Sequence, residues 1–256
     1  MILLVDVGNT RIKWSLGFGE GCVAGVFGRS SPRQDGDNLV AVMSGTTAPV
    51  EVWVASVASL EFQGSLTKAV TKAWGCIVRF ARVQSDLLGL QPAYDDVQQL
   101  GVDRWLAMLA ARYRAKQRAI VVIDAGSAIT VDYVSSAGRH LGGLIAPGVK
   151  MMQRALYSNT ALVKVKPLTL PQTWRPGQDT LGCVEQGVAT MLQGFCAQLS
   201  ANVDLLESEF KQAAWFATGG DAVLFSLPET HDISVVDDLV LQGLNLWGLS
   251  APSVFV

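Results

Sequence analysis

Leu3-Leu4-Val5-Asp6-Val7-Gly8-Asn9-Thr10 opens the chain, and Val121-Val122-Ile123-Asp124-Ala125-Gly126-Ser127-Ala128 repeats its phrase nearly half the chain later. In each, an apolar run ends in Asp-x-Gly followed by small polar residues. Each reads as a buried strand that delivers a carboxylate into a tight turn, where glycine lets the backbone approach a ligand and N–H groups can face phosphate. Two such turns could close on one nucleotide.

Outward from the first phrase, Arg11 to Leu16 and Cys22 to Phe27 read as strands around the glycine-rich turn at 17–21. A polar stretch with Pro32 and Asp35-Gly36-Asp37 leads to a weak helix around Leu39 to Met43. A strand at Val50 to Ser56, a helix near Leu60 to Trp74 and a strand at Cys76 to Ala81 follow. Around the second phrase come strands at Ala119 to Asp124, Ile129 to Val134 and His140 to Ile145. The pattern then predicts a helix over Val149 to Tyr157, a proline-punctuated loop from Lys166 to Gly177, a long helix over about Thr180 to Lys211, a strand at Trp215 to Thr218 and a closing helix at Val240 to Leu249. The three opening strands recur, so the chain is read as an α/β protein of two duplicated β-β-β-α-β-α-β domains, 1–116 and 117–256.

Composition narrows the classes. Of the 256 residues, 50% are hydrophobic and 16% charged, against roughly 25% charged in an average soluble domain. Much apolar surface must be buried. Net charge is −2, and the one basic cluster, Arg112 to Arg118, falls where a helix should end; cations there suit the helix dipole, which argues against a nucleic-acid partner. Cys22, Cys76, Cys183 and Cys196 are scattered, with only His140 and His231 to assist, which speaks against zinc or a disulfide framework. No apolar run approaches membrane-spanning length, so the expectation is a cytoplasmic protein with no membrane partner.

Several further strings narrow the reading: Leu100-Gly101-Val102-Asp103-Arg104-Trp105, Asp124-Ala125-Gly126-Ser127-Ala128-Ile129-Thr130, Gly142-Gly143-Leu144-Ile145-Ala146-Pro147-Gly148, Asn159-Thr160-Ala161-Leu162 and Thr218-Gly219-Gly220-Asp221-Ala222. With Asp6 to Thr10 they stand in an order and spacing that resembles type III pantothenate kinase, within the acetate and sugar kinase, Hsp70 and actin superfamily. The resemblance runs from residue 2 to about 248. It implies two ribonuclease H-like, actin-like ATPase domains around a central nucleotide cleft. It also implies phosphorylation of the primary hydroxyl of pantothenate by ATP, the first step toward coenzyme A, with Mg²⁺ and a monovalent cation (K⁺ or NH₄⁺), in a homodimer.

By that resemblance, Asp6, Val7, Gly8, Asn9, Thr10, Arg11, Ile12 and Lys13 form the first phosphate-binding segment, with Asp6 positioning hydrated Mg²⁺. Lys13 also reads as an exposed strand lysine and Asp6 as a turn-capping carboxylate. Asp103 is the expected general base, in a first helical turn where a plain capping role is the competing reading. Gly101, Val102, Asp103 and Arg104 would contact pantothenate, as would Tyr94 and Thr180. Thr180 also reads as an N-cap. Relatives usually carry proline between this tyrosine and the Gly-x-Asp-Arg string, where this chain has Asp95-Asp96-Val97. Asp124 corresponds to the monovalent-cation ligand and Ser127 to a nucleotide-contacting hydroxyl that is threonine in many relatives. Ser127 also reads as a turn residue bonding its own backbone. Gly219 and Gly220 would pass beneath the adenosine, or simply turn the chain. A rival function is a nucleotide-binding regulatory protein of the same fold, which would leave Asp103 and Arg104 without a task.

Overall fold

The computed structural model describes residues 1–17, 23–29, 31–43, 47–157, 174–203, 205–225 and 232–250. The expected turn at 17–21 beyond its first residue, Cys22, Asn159 to Leu162, most of the loop read at 166–177, and His231 lie outside them. Grouped by contact, the chain forms two units. The first comprises Met1–Ala110 and the final helix from Leu239, the second Ala111–Asp238.

In the first unit the order is β1 (Ile2–Val7), β2 (Arg11–Leu16), β3 (Val23–Gly28), α1 (Pro32–Val42), β4 (Glu51–Ser56), α2 (Leu60–Trp74) and β5 (Ile77–Phe80). The sheet runs β3-β2-β1-β4-β5, antiparallel among β1, β2 and β3 and parallel among β1, β4 and β5. Strand β1 is thus central, which is why Leu3, Leu4 and Val5 are all buried rather than alternating. Helix α2 starts at Ser59, whose hydroxyl accepts from the Phe62 N–H. It buries Phe62, Leu66 and Val70 at helical spacing against the sheet. Helix α1 is longer than the segment read from sequence, because Ser31 caps it and Pro32 opens it.

The second unit contains β6 (Ile120–Ala125), β7 (Ala128–Val134), β8 (His140–Pro147), α4 (Val149–Tyr157), α5 (Thr180–Val203), β9 (Ala214–Thr218) and β10 (Ile233–Val235). Its sheet, β10-β9-β6-β7-β8, reproduces the first strand for strand: β6 answers β1, β7 and β8 answer β2 and β3, and β9 and β10 answer β4 and β5. Helix α5 buries Val188, Leu192, Cys196, Leu199 and Val203 along one stripe over this sheet. The helices are less regular than the strands. Helix α5 ends at Val203 instead of continuing to 211, since a 3₁₀ turn at Ser208–Gln212 folds Phe210 fully into the core beside Tyr133. Strand β10 is three residues long and half exposed, too short to leave a periodic signal.

Helix α3 (Val102–Ala115) follows the first sheet, and α6 (Leu239–Ser250) closes the described chain. The division at 116/117 puts α6 with the second half, yet it packs on β1 and β4. Two glycines allow this. A β-carbon at Gly243 would lie 2.0 Å from the Leu106 carbonyl oxygen, and one at Gly248 would lie 2.0 Å from the Trp53 ring. Trp247 meets Trp53 edge-on at 6.3 Å, and the Arg79 guanidinium lies over both rings.

Candidate active site

The carboxyl end of β1 carries the first Asp-x-Gly turn. The Gly8 N–H donates to the Arg11 carbonyl at 3.0 Å, and the register then sets Asp6 opposite Lys13 and Val7 opposite Ile12. Directly opposed residues share a face of the sheet. Val7 and Ile12 are buried in the core, so Asp6 and Lys13 stand together on the other face, both half-buried. A carboxylate and an ammonium side by side fit a site that holds a metal–phosphate complex. Asn9, Thr10 and Arg11 are exposed at the tip.

An arginine that sequence reasoning missed braces this turn. Arg29 donates through Nη1 to the Gly8 carbonyl (3.2 Å) and through Nε to Asp35 (3.2 Å), its guanidinium lies 4.9 Å from the Phe62 ring centroid, and its backbone N–H donates to the Thr10 carbonyl. Asp35 is fully buried; its pairing offsets the cost of burying a carboxylate. The polar stretch around Asp35 thus ties the turn to α1. No linear pattern could have shown this, because Arg29 meets the turn only once Gly28 is in register with Arg11.

The second cluster surrounds the start of α3. The first helical bond runs from the Trp105 N–H to the Gly101 carbonyl, which makes Gly101 the N-cap and puts Asp103 in the first turn. A carboxylate is electrostatically favoured there. Asp103 Oδ1 accepts from the Arg104 N–H at 2.8 Å. Arg104, buried to 8% exposure, donates through Nη1 to the Tyr94 hydroxyl at 3.0 Å. Three expected substrate contacts therefore form one connected group. The segment between them is fixed by Asp96, whose carboxylate accepts from the Gln98 N–H and opens a 3₁₀ turn at Val97–Gln99.

Gly101 matters through the space it leaves. A β-carbon there would lie 2.6 Å from Asp103 Oδ1 and 3.8 Å from Arg104 Cδ. Because the clashing atom ends a rotatable side chain, Gly101→Ala should displace the carboxylate rather than unfold the helix. If Asp103 is the general base, kcat should fall roughly 10- to 100-fold through its misplacement. Thermal melting should show a loss of stability below about 1 kcal/mol.

The second turn lies at the carboxyl end of β6, closed by a hydrogen bond from the Gly126 N–H to the Ala128 carbonyl (3.0 Å). It is one residue shorter than the first, with Ser127 alone where Asn9 and Thr10 stand. Asp124 is half-buried between Thr130 on β7 and Thr218 on β9. Two glycines wall the turn. The Gly148 N–H donates to the Ser127 carbonyl, and a β-carbon at 148 would lie 2.4 Å from the carbonyl oxygens of both Gly126 and Ser127. Gly219 has φ +93°, and a β-carbon there would lie 2.5 Å from the Ala125 carbonyl oxygen and 2.6 Å from Asp124 Oδ1. The Asp221 N–H donates to the same Ala125 carbonyl, and Lys150 Nζ lies 3.7 Å from Asp221 Oδ1. Gly219 is thus required by the fold itself, in contact with Asp124, while Gly220 is exposed.

At the start of α5, Asp179 supplies the capping oxygen, accepting from the Gly182 N–H at 2.7 Å. Thr180 is the exposed first helical residue rather than the cap. Among the described residues no group of three or more His, Cys, Asp or Glu side chains could hold a metal ion. No helix among the described residues is long and apolar enough to cross a membrane.

Two sheets of one strand order, each with an Asp-x-Gly turn at the tip of its central strand, define an actin-like ATPase fold of the acetate and sugar kinase, Hsp70 and actin superfamily. The chain belongs to the type III pantothenate kinase family: that family's model matches residues 2–202. A type III pantothenate kinase of Teredinibacter turnerae is 41% identical over 245 residues, covering 95% of this chain and 97% of its own. One from Saccharophagus degradans is 37% identical, covering 96% and 98%. Among solved structures, one from Campylobacter jejuni described as a Baf family transcriptional activator matches with a TM-score of 0.56 at 21% identity, over 96% of this chain and 98% of that one. At that identity the likeness shows the fold alone.

Proposed function

We infer that this pantothenate kinase transfers the ATP γ-phosphoryl group to the primary hydroxyl of pantothenate, giving 4′-phosphopantothenate, with Asp103 as the general base. The observation that carries the assignment is the connected group at the start of α3: a carboxylate in the first turn, set over a glycine, beside an arginine fixed by a tyrosine. An alcohol is a poor nucleophile at neutral pH, so a carboxylate that takes its proton as the new O–P bond forms lowers the barrier. The bond from the γ-phosphorus to the bridging oxygen breaks and ADP leaves. Arg104 offers a planar fork of donors to the substrate or the transferring phosphoryl.

The Asp6 to Lys13 turn is the site for the β- and γ-phosphates. Mg²⁺ dehydrates reluctantly and takes few protein carboxylates beside substrate phosphates, so Asp6 would position the hydrated ion through water. The metal would neutralise charge on those phosphates. Asp124, flanked by Thr130 and Thr218, offers the hard oxygen donors that a K⁺ or NH₄⁺ ion takes, and Ser127 with Gly219 and Gly220 would receive the rest of the nucleotide. Tyr94, Gly101, Val102 and Thr180 complete the pantothenate site. The family resemblance supports a cytoplasmic homodimer.

The test is ADP release from ATP and Mg²⁺, with and without pantothenate, in K⁺ and then Na⁺ buffer. Release that requires pantothenate and is faster in K⁺ is the expected result. Equal release without pantothenate would mark a hydrolase, and ATP binding without release a regulatory protein.

A further inference from the structure

A backbone turn that binds phosphate must face it with N–H groups, because a carbonyl oxygen turned toward the same anion repels it. Three carbonyls of the first Asp-x-Gly turn are engaged elsewhere. The Arg11 carbonyl accepts from the Gly8 N–H at 3.0 Å, the Thr10 carbonyl from the Arg29 N–H at 3.0 Å, and the Gly8 carbonyl from Arg29 Nη1 at 3.2 Å. Two of these three bonds come from one residue. Gly28 pairs with Arg11 in the register of β2 and β3, so the Arg29 backbone continues the ladder one step to Thr10 while its side chain reaches Gly8.

The guanidinium is aimed from beneath. Its Nε donates to Asp35 Oδ2 at 3.2 Å, and its central carbon lies 4.9 Å from the Phe62 ring centroid. Asp35 on α1 and Phe62 on α2 are both fully buried, so each is held by its surroundings. Gly36 lets the two helices approach, since a β-carbon there would lie 3.1 Å from Ala69 Cβ. In a planar guanidinium, fixing one nitrogen on a buried carboxylate also sets the direction of the others. The Gly8 carbonyl is thereby referenced to the helical layer under the sheet.

We propose that Arg29 is a positioning residue for ATP: it draws the Gly8 and Thr10 carbonyls off the nucleotide so that the turn meets the phosphates with N–H groups, and buried Asp35 aims it. The proposal rests on reading Asp6 to Lys13 as the phosphate site. Arg29 acts through the turn and not on the reacting atoms. The competing account makes Arg29 only the counter-charge of Asp35. Lysine separates the two, because its ammonium can still pair with Asp35 but lacks a second nitrogen fixed in direction toward Gly8.

The experiment measures, on the full-length protein, the Kd for the non-hydrolysable analogue AMPPNP with Mg²⁺ by calorimetry and the KM for ATP and for pantothenate. Arg29→Lys should raise both the AMPPNP Kd and the KM for ATP by roughly 3- to 10-fold, as for the loss of one hydrogen bond. Arg29→Met combined with Asp35→Asn, which leaves no buried charge unpaired, should raise both by roughly 10- to 100-fold, the effect of a charge-assisted bond. The KM for pantothenate should stay within about twofold in both, since its site is made by other residues. Val70→Ala serves as the control for general destabilisation. Val70 is fully buried in the same core on α2, so its truncation lowers Tm by leaving a cavity while the KM for ATP stays within about twofold. Should the double variant fail to fold, Arg29→Lys still carries the test, because Asp35 remains paired. Wild-type affinity for AMPPNP in Arg29→Lys, an equal rise in KM for both substrates, or a Val70→Ala variant that weakens ATP as much as Arg29→Lys would overturn the proposal. A wild-type protein that does not bind AMPPNP would instead remove the phosphate-site reading on which it stands.

Discussion

Asp103→Asn should reduce kcat by roughly 10²- to 10⁴-fold, the range for loss of a general base, while leaving ATP affinity unchanged. Asparagine keeps the shape of aspartate and retains one side-chain oxygen. The bond from the Arg104 N–H to that oxygen at 2.8 Å can therefore persist. The pairing of Arg104 with Tyr94 depends on neither and should survive. What is lost is the capacity to accept the hydroxyl proton. Stability should change by less than about 1 kcal/mol, because a first-turn amide forgoes only a favourable dipole interaction. Rapid-quench or coupled ADP assays would read the rate, and calorimetry the nucleotide affinity. A variant that retains full turnover would show that Asp103 is only a first-turn residue of α3 and would reopen the regulatory reading. Uniform loss of ATP binding would place Asp103 in the nucleotide site instead.

How far the sequence revealed this arrangement depended on whether a feature was local. The two Asp-x-Gly turns were legible because the apolar strand, carboxylate and glycine are consecutive residues. The three opening strands of each half followed from runs of five or six apolar or alternating residues. Gly101, Asp103 and Arg104 were legible as a string, but the reason for the glycine was not. It emerges only when the first helical turn brings the Asp103 carboxylate back over the Gly101 α-carbon. Arg29 was passed over and Asp35 was read only as part of a polar stretch, because the pair meets the first Asp-x-Gly turn only through sheet register. The packing of α6 on the first sheet was hidden for a similar reason. Gly243 and Gly248 look like weak points in a helix until Leu106 and Trp53 occupy the missing β-carbon positions. Strand β10 left no trace, since three residues cannot establish a period of two.

Gly219→Ala is expected to damage both the fold and the second turn. Alanine at φ +93° meets the steric penalty of the left-handed region, roughly 1–2 kcal/mol. Its β-carbon would also press on the Ala125 carbonyl oxygen at 2.5 Å and the Ala125 carbonyl carbon at 2.7 Å. Backbone cannot rotate away as a side chain can, so β9 or β6 must shift, and overpacking of this kind adds roughly 1–3 kcal/mol. The sum corresponds to a fall in Tm on the order of 10 °C for a chain of this size. The functional consequence is separable from the stability loss. The same β-carbon would lie 2.6 Å from Asp124 Oδ1, so the carboxylate must swing even in molecules that fold. If Asp124 holds the monovalent cation, the folded fraction of Gly219→Ala should need a higher K⁺ concentration for half-maximal activity. The first turn, in the other unit, would keep its geometry. A K⁺ titration at a temperature well below the variant's melting point distinguishes the two effects. A reduced Tm with an unchanged K⁺ dependence would confine Gly219 to the fold and remove Asp124 from the cation site.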